Sequence, residues 1–181
     1  AKQLERRNAF ITRTFGRYLS DDVVERILDD PRGLSLGGEL RTVTVLMNDL
    51  RGFTSMCERL RPAEVVALLN RYLECMTAVI LEHEGTIDEF IGDAILVIFG
   101  APLARPDDAR RAVACALSMM LAMDEFSAWC LERGLPQLEM GIGLNTGDVI
   151  VGNIGSERRL KYGIVGATVN LTSRIETYTV G

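Results

Sequence analysis

The chain has 181 residues, of which 48% are hydrophobic and 25% charged, a composition that suits one folded globular domain and gives no ground for disorder. Its formal net charge of -5 argues against a broad nucleic-acid-binding surface, although a local phosphate site built from metals and backbone amides remains compatible with it. No apolar run approaches the roughly 18 residues that span a bilayer, so no membrane contact by this fragment is expected. The opening AKQLERRNAF lacks the apolar stretch of a signal peptide, and Cys57, Cys75, Cys115 and Cys130 show no CxxC spacing. The reading is of reduced thiols in a cytoplasmic protein.

Residues 1–40 form an N-terminal linker in which TFGRYLSDDVVERILDD reads as a leading helix, with Ser20 as its cap, before the turn-rich PRGLSLGGEL. The charged KQLERR resembles the end of a longer connecting helix, which predicts an upstream sensor domain in a larger protein.

From Arg41 the alternation of Val43, Val45 and Met47 predicts a half-buried strand ending at Asp49. The following LRGFTS turns into a helix, so backbone amides between Gly52 and Ser55 point outward as a cradle for an anion. RPAEVVALLNRYLECMTAVILEHEG is a core helix, with Pro62 in its first turn and Gly85 as its stop. TIDEFIGDAILVIFG reads as a hairpin whose two-residue turn is Gly92-Asp93, placing Ile91 opposite Ala94, Glu89 opposite Leu96 and Ile87 opposite Ile98. Glu89 then shares a face with apolar side chains and is at least partly buried, in need of a hydrogen-bond donor; the plain alternative is an internal salt bridge to an arginine. Asp49 and Asp93 each stand where a buried strand gives way to a glycine-containing turn. A carboxylate there costs stability unless a cation meets it, and a pair of them suggests a metal site.

The helix DDARRAVACALSMMLAMDEFSAWCLERG carries a methionine-rich stripe that reads as core. His83, the lone histidine, ends the earlier helix and reads as a solvated helix end, not a catalytic base. In LEMGIGLNTGDVIVGNIG a strand reaches a turn at Thr146-Gly147, and the bare glycines Gly141 and Gly143 along one face admit a helix or ligand. RRLKYGIVGATVNLTSRIETYTV passes from a strand into a helix with Asn170 and Arg174 on one face. A neutral donor beside a fixed cation suits a developing negative charge.

The order β-α-α-β-β-α-β-β-α predicts an α+β domain, a mainly antiparallel sheet with helices on one face in a ferredoxin-like split βαβ arrangement. The motifs MNDLRGFTS, EFIGDAI, GIGLNTGDVIVGNIG and YGIVGATVNLTSR, in this order, resemble the catalytic domain of class III nucleotidyl cyclases from about Arg41 to the last residue. The resemblance implies a catalytic domain over 41–181, and TFGRYLSDDVVERIL is similar to the helix leading into bacterial members.

The resemblance also implies two Mg2+ or Mn2+ ions held by Asp49, Asp93 and the carbonyl of Leu50, and in-line attack of a ribose 3'-hydroxyl on the α-phosphate with loss of pyrophosphate. Amides of Gly52, Phe53 and Thr54 would hold the outer phosphates, Asn170 the ribose, and Arg174 the transition-state charge. Adenylyl members usually carry Lys where Glu89 stands. A carboxylate accepts from guanine N1-H and its exocyclic amine, so GTP is the implied substrate. Gly163 occupies a second selector position, where it leaves room for guanine O6 without excluding adenine. The chain stops at Gly181, before the last strands and the phosphate-contacting lysine usual in the family, so a truncated C-terminal end is expected. In such enzymes the aspartates come from one subunit and Asn and Arg from the other, which implies a homodimer with shared sites. An adenylyl or dual-specificity enzyme and a silent dimerisation or nucleotide-sensing module are the other readings.

Overall fold

The computed structural model describes residues 36–156 and 158–179. The leading helix expected within residues 1–35, with its Ser20 cap, lies outside them, as does the last residue, Gly181. The elements run β1 (Gly37–Leu50), α1 (Phe53–Cys57), α2 (Pro62–Glu82), β2 (Thr86–Ile91), β3 (Ala94–Phe99), α3 (Asp108–Leu131), β4 (Met140–Ser156), β5 (Arg159–Val165) and α4 (Ala167–Thr177). This is the element order read from the sequence.

The five strands form one sheet in the order β2-β3-β1-β4-β5, and every pairing among the described residues is antiparallel. β1 is the central strand and is buried on both faces, not on one as its alternation suggested: Val43, Thr44, Val45 and Leu46 are all buried. Leu46, Leu50, Ile95, Val97 and Phe99 face α2 and α3 across a core that includes Tyr72, Met76, Met119 and Phe126. Val43, Val45, Leu96, Ile98, Val149 and Val151 face the other way, with Val169 of α4 packed against them. Helices therefore cover both faces of the sheet, which corrects the expectation of a single helical layer.

Local signals account for most element ends. Pro62 starts α2, and the Glu64 carboxylate accepts from the Arg61 backbone N–H at 2.9 Å, closing its first turn. The Asp108 carboxylate accepts from the Arg105 backbone N–H at 2.9 Å as α3 begins. α3 carries an 18-residue window of mean hydropathy 1.3, so by length and composition it could cross a membrane, contrary to the first reading of the sequence. Its inner face instead packs into the core through Ala112, Cys115, Met119, Phe126 and Cys130. His83 caps α2 and shares a hydrogen bond of 2.9 Å with Ser118, so it is half-buried and partnered instead of simply solvated. All four cysteines are free thiols.

The expected turn at Thr146-Gly147 does not form. β4 runs straight through it, with Thr146 opposite Thr44 and Gly147 opposite Val43, and the two threonine hydroxyls hydrogen-bond at 2.8 Å. The glycines serve packing instead. A Cβ on Gly147 would lie 2.7 Å from Thr168 Oγ1, and one on Gly143 would lie 2.6 Å from both the Thr172 carbonyl oxygen and the Glu176 backbone nitrogen. α4 thus rests on a strip of sheet without side chains. Gly143→Ala places its methyl against backbone that cannot rotate away, so a loss of about 1–3 kcal/mol in stability is expected. Urea denaturation checks it, and an unchanged midpoint would mean that α4 is not seated on this strip.

Candidate active site

The β2–β3 turn places Asp93 beside the end of β1. Ile91 pairs with Ala94, and Gly92 takes φ 65° at the first central position, where the tight hairpin turn requires glycine. Asp93 then aims its carboxylate at β1, where Oδ2 accepts from the Leu50 backbone N–H at 3.0 Å. Burial pushes the Asp93 carboxyl up to about 7, and the adjacent Asp49 carboxylate adds to the rise. Two carboxylates held together in this way are a strained arrangement that a cation relieves. Among the described residues no three His, Cys, Asp or Glu side chains are arranged so that together they could hold a metal ion. Remaining ligand positions would fall to the Leu50 carbonyl, water or phosphate. This all-oxygen donor set fits a hard divalent ion such as magnesium or manganese.

Gly52, with φ 74°, caps the short helix α1 that follows β1. Phe53 is buried and anchors it, while Thr54 is exposed. The first amides of any helix lack intrahelical acceptors, so those of Phe53 and Thr54 are available near the carboxylate pair. Arg51 and Glu176, which sequence reading missed, buttress this corner. Arg51 Nη2 lies 2.7 Å from Glu176 Oε1 and donates to the carbonyls of Glu176 at 2.6 Å and Thr179 at 2.9 Å. Burial raises the Glu176 carboxyl; Arg51 opposes the rise and Asp49 adds to it.

Asn170 and Arg174 stand on the outer face of α4, exposed, while Thr172 and Glu176 point into the protein. They line a cleft of about 490 Å³ with Asn145, Thr146 and Thr168. Among the described residues neither side chain makes a hydrogen bond or ion pair, so this helix presents a free amide and a free guanidinium. A larger groove, about 700 Å³ between Arg51, Asp124, Gln137 and Glu139, brings together no comparable chemistry, and its Arg51 is already committed.

Glu89 and Gly163 come together although they lie on strands at opposite edges of the sheet. The expected pairing of Ile87 with Ile98 is replaced by Ile87 with Val97, because a bulge inserts Asp88 between the Ile87 and Glu89 pairs. The bulge turns Asp88 inward, leaving its side chain 1% exposed, and Glu89 outward at 43%, so the acid expected to be buried is the accessible one. Its partner is Lys161, not an arginine: Nζ lies 2.9 Å from Glu89 Oε1 and donates to Asp88 Oδ2 at 2.7 Å. Burial raises the Asp88 carboxyl and Lys161 opposes it; burial also works against the lysine's charge, but bonds to Asp88 and Glu89 outweigh this and raise it. Lys161 was not singled out in the sequence, although RLKYG places it two residues from Gly163, on the same strand face.

Residues 38–181 match the family described as the adenylate and guanylate cyclase catalytic domain. Adenylate cyclase 1 of Rhizobium meliloti (strain 1021) is 32% identical over 163 residues, covering 90% of this chain and 24% of that protein. The chain spans about a quarter of the length of the curated relatives it matches. Among solved structures, the guanylyl cyclase Cya2 is 60% identical with a TM-score of 0.78, over 81% of this chain and 74% of that one. The adenylyl cyclase CyaB from P. aeruginosa is 37% identical with a TM-score of 0.78, over 81% and 76%. Solved cyclase domains among the matches include one described as dimeric and one described as monomeric, and cyclases of this class generally use divalent metal ions. With 38–181 matched by the family and the sheet superimposing on solved cyclase domains, the chain belongs to the adenylate and guanylate cyclase catalytic domain family.

Proposed function

We propose that this domain converts GTP to 3',5'-cyclic GMP and pyrophosphate in sites shared between two copies of the chain. The observation that carries the choice of purine is Glu89, an accessible carboxylate held at 2.9 Å by Lys161 of the strand that carries Gly163. An ionised carboxylate only accepts hydrogen bonds. Guanine offers N1-H and its exocyclic amine as adjacent donors, whereas adenine N1 is itself an acceptor. The 60% identity to a solved guanylyl cyclase supports the same reading.

Within such a site each residue has a defined task. Glu89 orients the base, the room beside Gly163 is filled from within by Asp88 Oδ1 instead of being left for guanine O6, and the amides of Gly52, Phe53 and Thr54 face the outer phosphates. Asn170 holds the ribose so that its 3'-oxygen lies in line with the α-phosphorus. As the new bond to the 3'-oxygen forms and the bond to the bridging oxygen of pyrophosphate breaks, Arg174 meets the charge gathering on the α-phosphate oxygens. Two magnesium or manganese ions held by Asp49, Asp93 and the Leu50 carbonyl would supply Lewis-acid chemistry, lowering the pKa of the ribose hydroxyl and neutralising the triphosphate. The reading requires no covalent intermediate.

ATP use is the second reading, and Gly163 favours it, because a position without a side chain does not turn adenine away. Turnover of GTP and ATP measured side by side with Mn2+ is therefore decisive: a higher kcat/KM for GTP is expected, with weak cyclic AMP formation. Glu89→Lys should invert the preference, costing on the order of 100-fold or more with GTP, since a buried donor pair then faces a cation. Preference unmoved by this substitution would remove Glu89 from base recognition.

Sharing of sites gives a second measurement. Asp49→Ala and Arg174→Ala chains are each expected to be inactive alone. Mixed in equal amounts they should recover about a quarter of wild-type activity, because half the dimers are mixed and each of those holds one intact site of two. No recovery from folded, dimeric partners would place both groups in one chain's site.

A further inference from the structure

Lys161 and Asp88 tie the two purine-facing positions together. The ammonium of Lys161 reaches across from one sheet edge to the other, 73 residues away in sequence, and meets both Asp88 and Glu89. It has three N–H donors, so two carboxylates use two of them. Asp88 sits beneath this contact with its side chain almost wholly buried. Its Oδ1 makes no side-chain hydrogen bond of good geometry, although the Ile164 backbone lies near enough to favour the ionised acid. That same oxygen occupies the space beside Gly163: a Cβ at 163 would lie 2.6 Å from it and 3.1 Å from Lys161 Cε. A side chain at 163 therefore requires the buried acid to move.

We propose that Lys161, anchored on buried Asp88, is the positioning residue of the base pocket, fixing the Glu89 carboxylate against the purine edge while Asp88 takes up the room of a second selector side chain. The proposal rests on the reading of Glu89 as purine selector. Two observations and one general property of charged contacts support it. The anchor on Asp88 is buried and the contact to Glu89 is open, so the lysine has one fixed end and one end facing the pocket. Glu89 sits beside a bulge, where the ladder alone does not fix the direction of its side chain. Charged hydrogen bonds of this kind are the strong and directional ones. Purine choice then depends on one braced carboxylate, not on two independent selectors.

The plain alternative is that Lys161 only clamps the sheet edges. Steady-state kinetics with GTP and with ATP in Mn2+, on the dimeric protein, separate the two. Lys161→Met should lower the ratio of kcat/KM for GTP to that for ATP by about tenfold or more, the order expected for losing a charged hydrogen bond. Lys161→Arg should restore most of the ratio. Because Lys161→Met leaves a buried acid without its cation, the double variant Lys161→Met/Asp88→Asn removes the pair without stranding a charge and should show the same fall in the ratio. A clamp would slow both nucleotides in parallel and lower the melting temperature with the ratio intact, and that result overturns the proposal.

Glu89→Lys, assayed beside them, keeps the two ideas apart. If it leaves the ratio unchanged, the selector reading fails and the brace with it; if it shifts the ratio while neither Lys161→Met nor the double variant does, only the brace fails. For the packing half, Gly163→Ala should lower the melting temperature in the wild-type background and much less in an Asp88→Ala background. Additive effects would show that Asp88 does not restrict position 163.

Discussion

The register between β1 and β4 decides where every functional side chain of this domain lies. Val43 faces Gly147, Met47 faces Gly143 and Asp49 faces Gly141, so the odd-numbered residues of β1 look toward α4 and the even-numbered ones toward α2 and α3. A slip of one residue would turn Asp49 into the apolar core and bring Leu46 and Leu50 out of it. The glycines opposite these residues then have a consequence for α4. Because β4 lacks side chains at 141, 143 and 147, the helix can approach until its backbone touches the sheet, and its outer face is set by that contact.

That closeness brings acids together. At the end of β1 the Asp49 carboxylate disfavours the charge of both Asp93 and Glu176. Arg51 answers Glu176, but it is already bound to the Glu176 carboxylate and to the carbonyls of Glu176 and Thr179. Asp49 and Asp93 are thus left facing one another without a cationic side chain between them, and the burial of Asp93 deepens the cost. A fold selected for stability alone would separate them or replace one with an amide. Retaining both where a divalent ion could be met is the pattern of a site in which stability yields to chemistry.

Much of this was legible from residue order. Periodicity and punctuation give all nine described elements and the Gly92-Asp93 turn, because proline, glycine and apolar spacing act locally. The Asp49 and Asp93 placements follow from strand ends. What escaped was set by contacts distant in sequence. The bulge at Asp88 exchanges the burial of two adjacent acids, and no local pattern distinguishes which of DE turns inward; the deciding partner is Lys161 on the far edge of the sheet. Thr146-Gly147 carries the composition of a turn, yet its glycine answers to Thr168 of a helix that comes later in the chain. The second helical face was hidden for the same reason, since a strand with glycine on one side reads as unpacked until the helix above it is known.

The two faces of α4 explain why one chain has the parts of a site without assembling it. Thr172 and Glu176 are four residues apart and buried; Asn170 and Arg174 are four apart and exposed, half a turn away. No rotation of the helix can bring Asn170 and Arg174 inward toward Asp49 without expelling Thr172 and Glu176, and Glu176 is bound to Arg51, the residue that follows Leu50. The guanidinium and the carboxylate pair are therefore directed apart by the same packing that holds each in place. Among the described residues Phe90 and Ile91 of β2, Ile150 of β4, Val165 of β5 and Leu171 of α4 expose apolar side chains. In the proposed dimer a second copy covers that surface and meets each half of the chemistry with the half it lacks, so association and completion of the site become a single event.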